Sequence, residues 1–152
     1  MNNVWIYLKS ILIPILLGSL IGLITSDQMM IFETLNKPPL SPPAFLFPIV
    51  WTILYLLMGI SYGRLKSKGL VDENINKVYY IQLILNALWP IFFFVFNWRL
   101  FSFVWIIALI ISVIAMIKEF YSKDKISGIL QIPYLIWLFF AAYLNISIYL
   151  LN

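Results

Sequence analysis

The sequence predicts an all-α integral membrane protein, a single domain built as a five transmembrane helix bundle with a long first loop acting as a lid. Five apolar stretches cover almost all of residues 1–152, namely 4–25, 44–62, 78–98, 101–117 and 126–151. A helix needs about 20 mostly apolar residues to cross a bilayer. The last four stretches contain no charged residue and the first contains only Lys9, so lipid must surround them.

Composition supports the same fold class. Hydrophobic residues make up 63% of the chain and charged residues 11%, a balance that excludes a soluble domain of this size. Strands of membrane barrels alternate polar and apolar residues, whereas these stretches are apolar throughout, so a barrel is excluded. The first stretch could be a cleaved signal peptide. Its sparse basic start, its length and the lack of a clear small-x-small cleavage site favour a retained membrane helix.

Basic residues are distributed unevenly between the two ends of the predicted bundle. One end holds only Lys37 and Arg99. The other end holds eight, namely Lys9, Arg64, Lys66, Lys68, Lys77, Lys118, Lys123 and Lys125. The positive-inside rule therefore predicts a cytoplasmic N-terminus and a C-terminus outside the cell. Basic loops beside anionic lipid explain the net charge of +4 without a nucleic acid partner.

The residue types exclude several kinds of chemistry. The chain contains no Cys and no His, so disulfides, thiolate nucleophiles and Cys/His metal sites are impossible. Serine–histidine catalysis is excluded for the same reason. All six acidic residues lie in loops or at span ends, which leaves no general base to face a pocket between the helices. We therefore expect no metal, no cofactor and no catalysis in the dark.

The first loop, residues 26–43, differs from the other connections. It contains the run Lys37-Pro38-Pro39-Leu40-Ser41-Pro42-Pro43, in which two proline pairs stiffen the backbone. Its apolar residues are Met29, Met30, Ile31, Phe32 and Leu35. An apolar, rigid loop at the membrane surface is expected to fold back over the bundle as a lid. The alternative is a linker that only separates two helices.

Aromatic residues form stripes at helical spacing on three of the predicted helices. The stripes are Trp51, Tyr55, Met58 and Tyr62; Asn86, Trp89 and Phe93; and Trp137, Ala141, Leu144 and Asn145. Any single stripe is more often a packing or lipid-facing surface. Three stripes, each with polar atoms and small residues nearby, together favour a pocket for a flat amphipathic ligand.

Proline and glycine patterns add two expectations about the helices. Pro14, Pro48, Pro90 and Pro133 are each expected to interrupt and bend a helix. Residues 18–22 and 59–63 each follow a GxxxG pattern, which allows close helix approach. The patterns could serve either a dimer or packing within the bundle, and we expect the latter.

Several motifs resemble the translocator protein family, which includes the tryptophan-rich sensory protein TspO and the peripheral-type benzodiazepine receptor. The first is Lys37-Pro38-x-x-x-Pro42-Pro43 followed by Phe47-Pro48-Ile49-Val50-Trp51-Thr52-Ile53-Leu54-Tyr55. The third helix carries Gln82-Leu83-x-Leu85-Asn86-x-x-Trp89. The fifth carries Pro133-Tyr134-Leu135-x-Trp137-x-x-Phe140-Ala141-x-x-Leu144-Asn145. The first and fourth helices match only as apolar spans.

The resemblance implies a five-helix pocket capped by the first loop, usually in a homodimer, in a bacterial cell membrane. It implies porphyrin as a ligand rather than a cofactor, and for some members sterols and benzodiazepine-site compounds. The implied lining comprises Phe32, Pro42, Trp51, Tyr55, Asn86, Trp89, Phe93, Trp137, Ala141 and Asn145. Trp51 and Trp137 match the tryptophans that some bacterial relatives use in light-dependent porphyrin breakdown.

The sequence also departs from the family pattern. Ile31 and Phe32 replace a Trp-Tyr pair of the lid, and Leu40 replaces a loop tryptophan, so a hydroxyl and a stacking surface are lost. No basic residue follows Tyr149, so the proposed sterol-recognition motif is absent. Three function classes stay open: a receptor or sensor for porphyrin-like ligands, which we favour, a light-dependent porphyrin-degrading enzyme, and a passive translocator of small molecules or sterols.

Overall fold

The computed structural model describes residues 3–152, except for the side chain of Met29. The helices of this part of the chain are α1 Asn3–Phe32, α2 Leu46–Ser67, α3 Glu73–Pro90, α4 Arg99–Lys123, α5 Lys125–Ile129 and α6 Ile132–Leu151. The turn Ile91–Val95 continues α3 as a π-helix. Together α5 and α6 form one span, so five apolar helical segments are long enough to cross a membrane. The predicted five-helix bundle is confirmed.

Several helices extend beyond the predicted apolar stretches. α2 ends at Ser67 rather than at residue 62, and α3 begins at Glu73 rather than at residue 78. Hydropathy detects only the part of a helix that lies in lipid, whereas charged residues of good helix propensity continue the helix into water. At the start of α3, the Asp72 carboxylate accepts a hydrogen bond from the Ile75 N–H at 2.9 Å and caps the helix.

The prediction that the first loop begins at residue 26 is wrong, because α1 continues to Phe32. The Thr25 hydroxyl donates to the Ile21 carbonyl at 2.9 Å, and the Ser26 hydroxyl donates to the Leu23 carbonyl at 3.0 Å. Both side chains thus satisfy their polar groups within the helix. No proline follows until Pro38, so nothing in the backbone ends the helix earlier.

The expectation that four prolines interrupt helices is wrong for two of them. Pro48 and Pro133 lie in the first turns of α2 and α6. Backbone N–H groups there have no acceptor within the helix, so a proline removes no helical hydrogen bond. Pro14 lies inside α1. Pro90 ends the regular part of α3, and the π-helical turn follows with a Phe96 N–H to Ile91 carbonyl bond of 3.0 Å. The wider turn changes the direction of the side chains after Pro90.

The glycine patterns serve packing within the bundle. A Cβ at Gly59 would overlap the main chain of Ile11, and a Cβ at Gly18 would overlap the Tyr55 ring. A Cβ at Gly63 would press on Tyr7. These three glycines therefore let α1 and α2 approach closely. Gly22 differs, because a Cβ there would meet nothing within 4 Å.

The two ends of the bundle are built differently. We call the end with the turns after α2 and α4 the basic end, and the end with residues 33–45 the lid end. Buried hydrophobic side chains fill the half nearer the basic end, where Met58, Leu65, Ile75, Met116 and Phe120 are fully buried. The half nearer the lid end contains the cavities described below. Tight packing in one half holds the helices at fixed spacing in the other.

A cluster of charges closes the basic end. Asp124 accepts from Arg64 Nε at 2.6 Å, from Lys68 Nζ at 2.9 Å and from the Ser127 N–H at 3.1 Å. Burial of this carboxyl raises its pKa, but the hydrogen bonds from Arg64, Lys68 and Ser127 outweigh that effect and hold the pKa of Asp124 well below its usual range. The cluster joins α2 to the turn between α4 and α5.

The α1–α2 contact generates a stability prediction. We expect Gly59→Ala to lower the thermal unfolding midpoint in detergent, because the new methyl group overlaps the α1 backbone, an overpacking that costs about 1–3 kcal/mol. Gly22→Ala is the matched control, since its methyl group meets open space and should leave the midpoint unchanged or raised. Tryptophan fluorescence during heating measures both. Equal midpoints for the two variants would contradict the assigned role of Gly59.

Candidate ligand-binding site

Two cavities with shared walls occupy the half of the bundle nearer the lid end. The first has a volume of about 310 Å³ and lies between α1, α2 and α3, within the range of small-molecule sites. The second has a volume of about 40 Å³ and lies between α2, the π-helical turn and α6. Trp51, Trp89 and Phe94 line both cavities, so these rings form the partition between them.

The structure distributes the predicted lining residues over both cavities. Tyr55 and Asn86 line only the first cavity, and Trp51 and Trp89 line both. Five other predicted residues line only the second cavity, namely Phe32, Phe93, Trp137, Ala141 and Asn145. Pro42 lines neither cavity, because it lies in the loop that precedes α2.

Helix α1 supplies a wall that the sequence analysis missed. Ile15, Gly18, Ser19, Ile21, Gly22 and Thr25 line the first cavity. No lining residue was predicted in the apolar stretch 4–25, and Phe32 was predicted as part of the first loop. The GxxxG pattern at residues 18–22 could have indicated this wall, because a helix face without side chains leaves space between the helices. Phe47 and Phe94 are also lining residues that were not predicted.

A buried chain of hydrogen bonds supports the wall between the cavities and the core. The Tyr55 hydroxyl donates to Asn86 Oδ1 at 2.7 Å, and Asn86 Nδ2 donates to the Tyr134 hydroxyl at 2.7 Å. That hydroxyl in turn donates to Gln82 Oε1 at 2.8 Å. The chain joins α2, α3 and α6 through groups that lipid could not satisfy. The main role of the Asn86 side chain is therefore structural, because its hydrogen bonds hold the helices around the site together.

A second polar cluster fixes the far wall. Trp89 Nε1 donates to Asn145 Oδ1 at 2.9 Å, and the Ser102 hydroxyl donates to the same oxygen at 3.1 Å. Asn145 Nδ2 donates to the Arg99 carbonyl at 2.8 Å. The Trp89 indole N–H is thus already bonded, which leaves its ring face for the cavities. Ser102, fully buried in α4, was not predicted, because one serine in an apolar span has no distinctive spacing.

Trp137 differs from Trp89 in its hydrogen bonding. Its indole N–H is buried and has no partner among the described residues. The Trp137 ring stands perpendicular to Trp51, with ring centroids 6.5 Å apart, and beside Phe47 at 5.9 Å. A buried donor without a partner costs free energy. Trp137 also lines the second cavity, so an acceptor atom of a ligand there is a candidate partner for this N–H.

The loop between α1 and α2 crosses the lid end to reach α6. The Asn36 N–H donates to Asn152 Oδ1 at 3.1 Å, and Asn152 Nδ2 donates back to the Asn36 carbonyl at 2.9 Å. The Tyr143 hydroxyl donates to the Pro39 carbonyl at 2.9 Å. This path is the one expected of a lid and is longer than a linker between neighbouring helices requires.

The end of α1, just before the lid, contributes a ring to the second cavity. Phe32 is 5% exposed and packs edge-on against Phe47 with ring centroids 5.3 Å apart. Leu40 is 83% exposed and lines neither cavity, so it does not replace the stacking surface that the resemblance places there. Neither cavity is lined by an acidic or basic residue. A ligand in either cavity would therefore meet aromatic faces, apolar surface and neutral hydrogen-bonding groups.

Comparison with known proteins identifies the family. The sequence matches the TspO/MBR family over residues 10–151. The tryptophan-rich protein TspO of Archaeoglobus fulgidus is 42% identical over 122 residues, which cover 80% of this chain and 79% of that protein. The tryptophan-rich protein TspO of Chlorobaculum tepidum is 37% identical over 124 residues, or 80% and 78%. The protein CrtK of Rhodobacter capsulatus is 36% identical over 126 residues, also 80% and 78%.

The family match extends into all five membrane helices and agrees with the fold. The matched residues include α1 from residue 10 and the whole of α4. The motifs did not cover these two helices, which resembled the family only as apolar spans. The five apolar helices support the same assignment to a membrane. The chain is an integral membrane protein and belongs to the TspO/MBR family.

Proposed function

We propose that this protein is a membrane receptor or sensor that binds porphyrin-like tetrapyrroles and related planar amphipathic ligands between its helices. The observation that carries the proposal is the unpaired Trp137 indole N–H in a cavity walled by aromatic rings. Family membership supports a sensory role, because relatives include proteins named tryptophan-rich sensory protein and translocator protein.

The chemistry of the walls suits a flat aromatic ligand. Trp51, Trp89 and Phe94 offer ring faces on two sides of one partition, and stacked aromatic pairs contribute about 0.5–1.5 kcal/mol beyond burial. The peripheral carboxylates of a porphyrin are acceptors to which the Trp137 N–H could donate. Apolar side chains of α1 and α6 bury the remaining surface of the ligand.

Size sets a condition on binding. A tetrapyrrole macrocycle is larger than either cavity alone, so the rings of Trp51 and Trp89 must move and join the two volumes. The Trp89 ring is restrained by its bond to Asn145. Trp51 is half-buried and is therefore expected to move more. The reciprocal bonds between Asn36 and Asn152 also have to open if the ligand enters through the lid.

A second candidate function is light-dependent breakdown of the bound porphyrin. It is favoured by the contact between Trp51 and Trp137, whose perpendicular rings would both border a ligand in the second cavity. Light absorbed by the porphyrin, with dioxygen as the oxidant, would then produce reactive species beside two oxidisable indoles. The absence of acids and bases from the cavity walls leaves no group for dark catalysis.

Ligand binding tests the first proposal. Protoporphyrin should quench tryptophan fluorescence, and Trp51→Ala or Trp137→Ala should each weaken its affinity by about fivefold, since losing one stacked ring costs on the order of 1 kcal/mol. Trp5→Ala is the control, because Trp5 is 60% exposed at the far end of α1. Wild-type affinity in both pocket variants would show that these rings only pack the bundle.

Illumination separates a receptor from a photochemical enzyme. We expect the Soret absorbance of bound protoporphyrin to decay faster in the wild type than in the double variant Trp51→Phe/Trp137→Phe, because phenylalanine is a poorer electron donor than indole. Removal of oxygen should slow the decay. Equal decay at matched ligand occupancy would leave binding without photochemistry, and decay in the dark would require a catalytic group that the site does not contain.

Orientation is part of the proposed function, since it decides which compartment the lid faces. We expect the basic end in the cytoplasm, because it carries eight of the ten basic residues. Leu40→Cys and Asn74→Cys place single, exposed thiols at opposite ends of a chain without cysteine. An impermeant maleimide added to intact cells should label only Leu40→Cys. Labelling of Asn74→Cys alone would reverse the orientation. Homodimer formation stays a prediction of the family resemblance.

A further inference from the structure

A polar depression at the lid end shares no residue with the two ligand cavities. It has a volume of about 540 Å³ and is lined by Asn97, Arg99, Tyr149, Leu150 and Asn152. These residues come from the turn before α4, the first residue of α4 and the end of α6. The depression is therefore a separate surface at the position where the membrane spans end.

Arg99 dominates the charge of this depression. No Asp or Glu side chain among the described residues forms an ion pair with Arg99. The ion pairs of the described residues lie at the basic end and involve Arg64, Lys68 and Lys123. Its Nη2 donates to Asn97 Oδ1 at 3.1 Å, while its Nε is buried without a partner. A guanidinium has five N–H donors, so most of them stay available to an anion.

The arginine is held in place by its main chain and by an aromatic ring. The Arg99 carbonyl accepts from Asn145 Nδ2 at 2.8 Å. Its guanidinium lies over the Phe93 ring, 5.6 Å from the centroid, which favours a fixed planar orientation. Asn97 adopts a left-handed conformation with φ of 56°, which asparagine tolerates. The donors are therefore positioned before any ligand arrives.

Lys37, the other basic residue at the lid end, is differently placed. Its Nζ donates to the carbonyls of Phe32 at 3.1 Å and Glu33 at 3.0 Å and so caps the end of α1. The Lys37 ammonium group is thus already hydrogen-bonded to main-chain carbonyls. Arg99 is the basic residue at this end whose donors face a depression.

The surroundings of Arg99 indicate a lipid rather than a soluble anion. Trp98 is 53% exposed and Leu150 is 72% exposed beside the depression. Arg99 begins a helix that crosses the membrane. Arginine at the end of a span, beside an exposed indole, lies at the level of the phospholipid headgroups. Leu150 and the Tyr149 ring then offer apolar surface to the glycerol and the first part of the acyl chains.

We propose that this depression binds the phosphate of an anionic phospholipid headgroup, with Arg99 as its principal donor. Arginine is suited to phosphate because two parallel N–H groups can bind two phosphate oxygens. A net anionic headgroup is preferred over a zwitterionic one, because no Asp or Glu side chain of the described residues lines the depression to receive a choline or ethanolamine group.

Native mass spectrometry of the detergent-purified protein tests this site. Phosphatidylglycerol and phosphatidylcholine are titrated separately, and the dissociation constant of the tightest-bound lipid is measured. We expect phosphatidylglycerol to bind more tightly than phosphatidylcholine, and Arg99→Gln to weaken the phosphatidylglycerol site about tenfold, since it removes a charged hydrogen-bond donor. Lys118→Gln is the matched control, because it removes the same charge from the opposite end of α4 and should change the constant less than twofold.

Further arms distinguish the alternatives. Equal weakening by Arg99→Gln and Lys118→Gln, no weakening by Arg99→Gln, or equal affinity for the two lipids would each overturn the proposal. Displacement of the lipid by millimolar inorganic phosphate would indicate a soluble anion site instead. The thermal unfolding midpoint reports whether Arg99→Gln is folded. Arg99→Lys restores the charge and should recover part of the affinity, and a folded Arg99→Lys that binds no better than Arg99→Gln would also contradict the proposal.

Discussion

Lipid cannot satisfy a buried polar group, and this constraint explains how the bundle is held together. In water an asparagine side chain has partners everywhere, whereas between membrane helices it must find them on a neighbouring helix. Asn86 does so by bonding to Tyr55 of α2 and Tyr134 of α6 at 2.7 Å each. Asn145 does the same between Trp89 and the start of α4. These two amides specify which helix faces meet.

One half of the bundle is closed and the other is open, and the residues that pack each half explain the difference. Near the basic end, apolar side chains fill the space and Asp124 joins α2 to the turn after α4. Near the lid end, large rings meet helices bent by a π-helical turn, and glycines on α1 leave space opposite them. The cavities therefore lie where the widened turn after Pro90 meets the small residues of α1.

The composition of the cavity walls limits what the site can recognise. Because no acidic or basic side chain of the described residues lines either wall, binding there would depend on burial, stacking and neutral donors, which would favour a large flat ligand over a small charged one. Charge is confined to the two ends of the bundle. There it serves helix capping and ion pairs at some positions, and at Arg99 it faces an open depression.

The sequence by itself determined the membrane class, the number of spans and most of the aromatic wall. These properties follow from local features, namely apolar length and helical spacing, which do not depend on how helices pack. Trp51, Tyr55, Asn86 and Trp89 were predicted in this way, and all four line the first cavity.

Only the tertiary structure decided which residues share a cavity and which polar atoms stay unpaired. It added the α1 wall, divided the predicted lining between two volumes and left Pro42 outside both. It also distinguished Trp89, whose N–H is bonded, from Trp137, whose N–H is not. Spacing along one helix cannot distinguish these two tryptophans, because a hydrogen-bond partner on another helix depends on the rotation and depth of both helices.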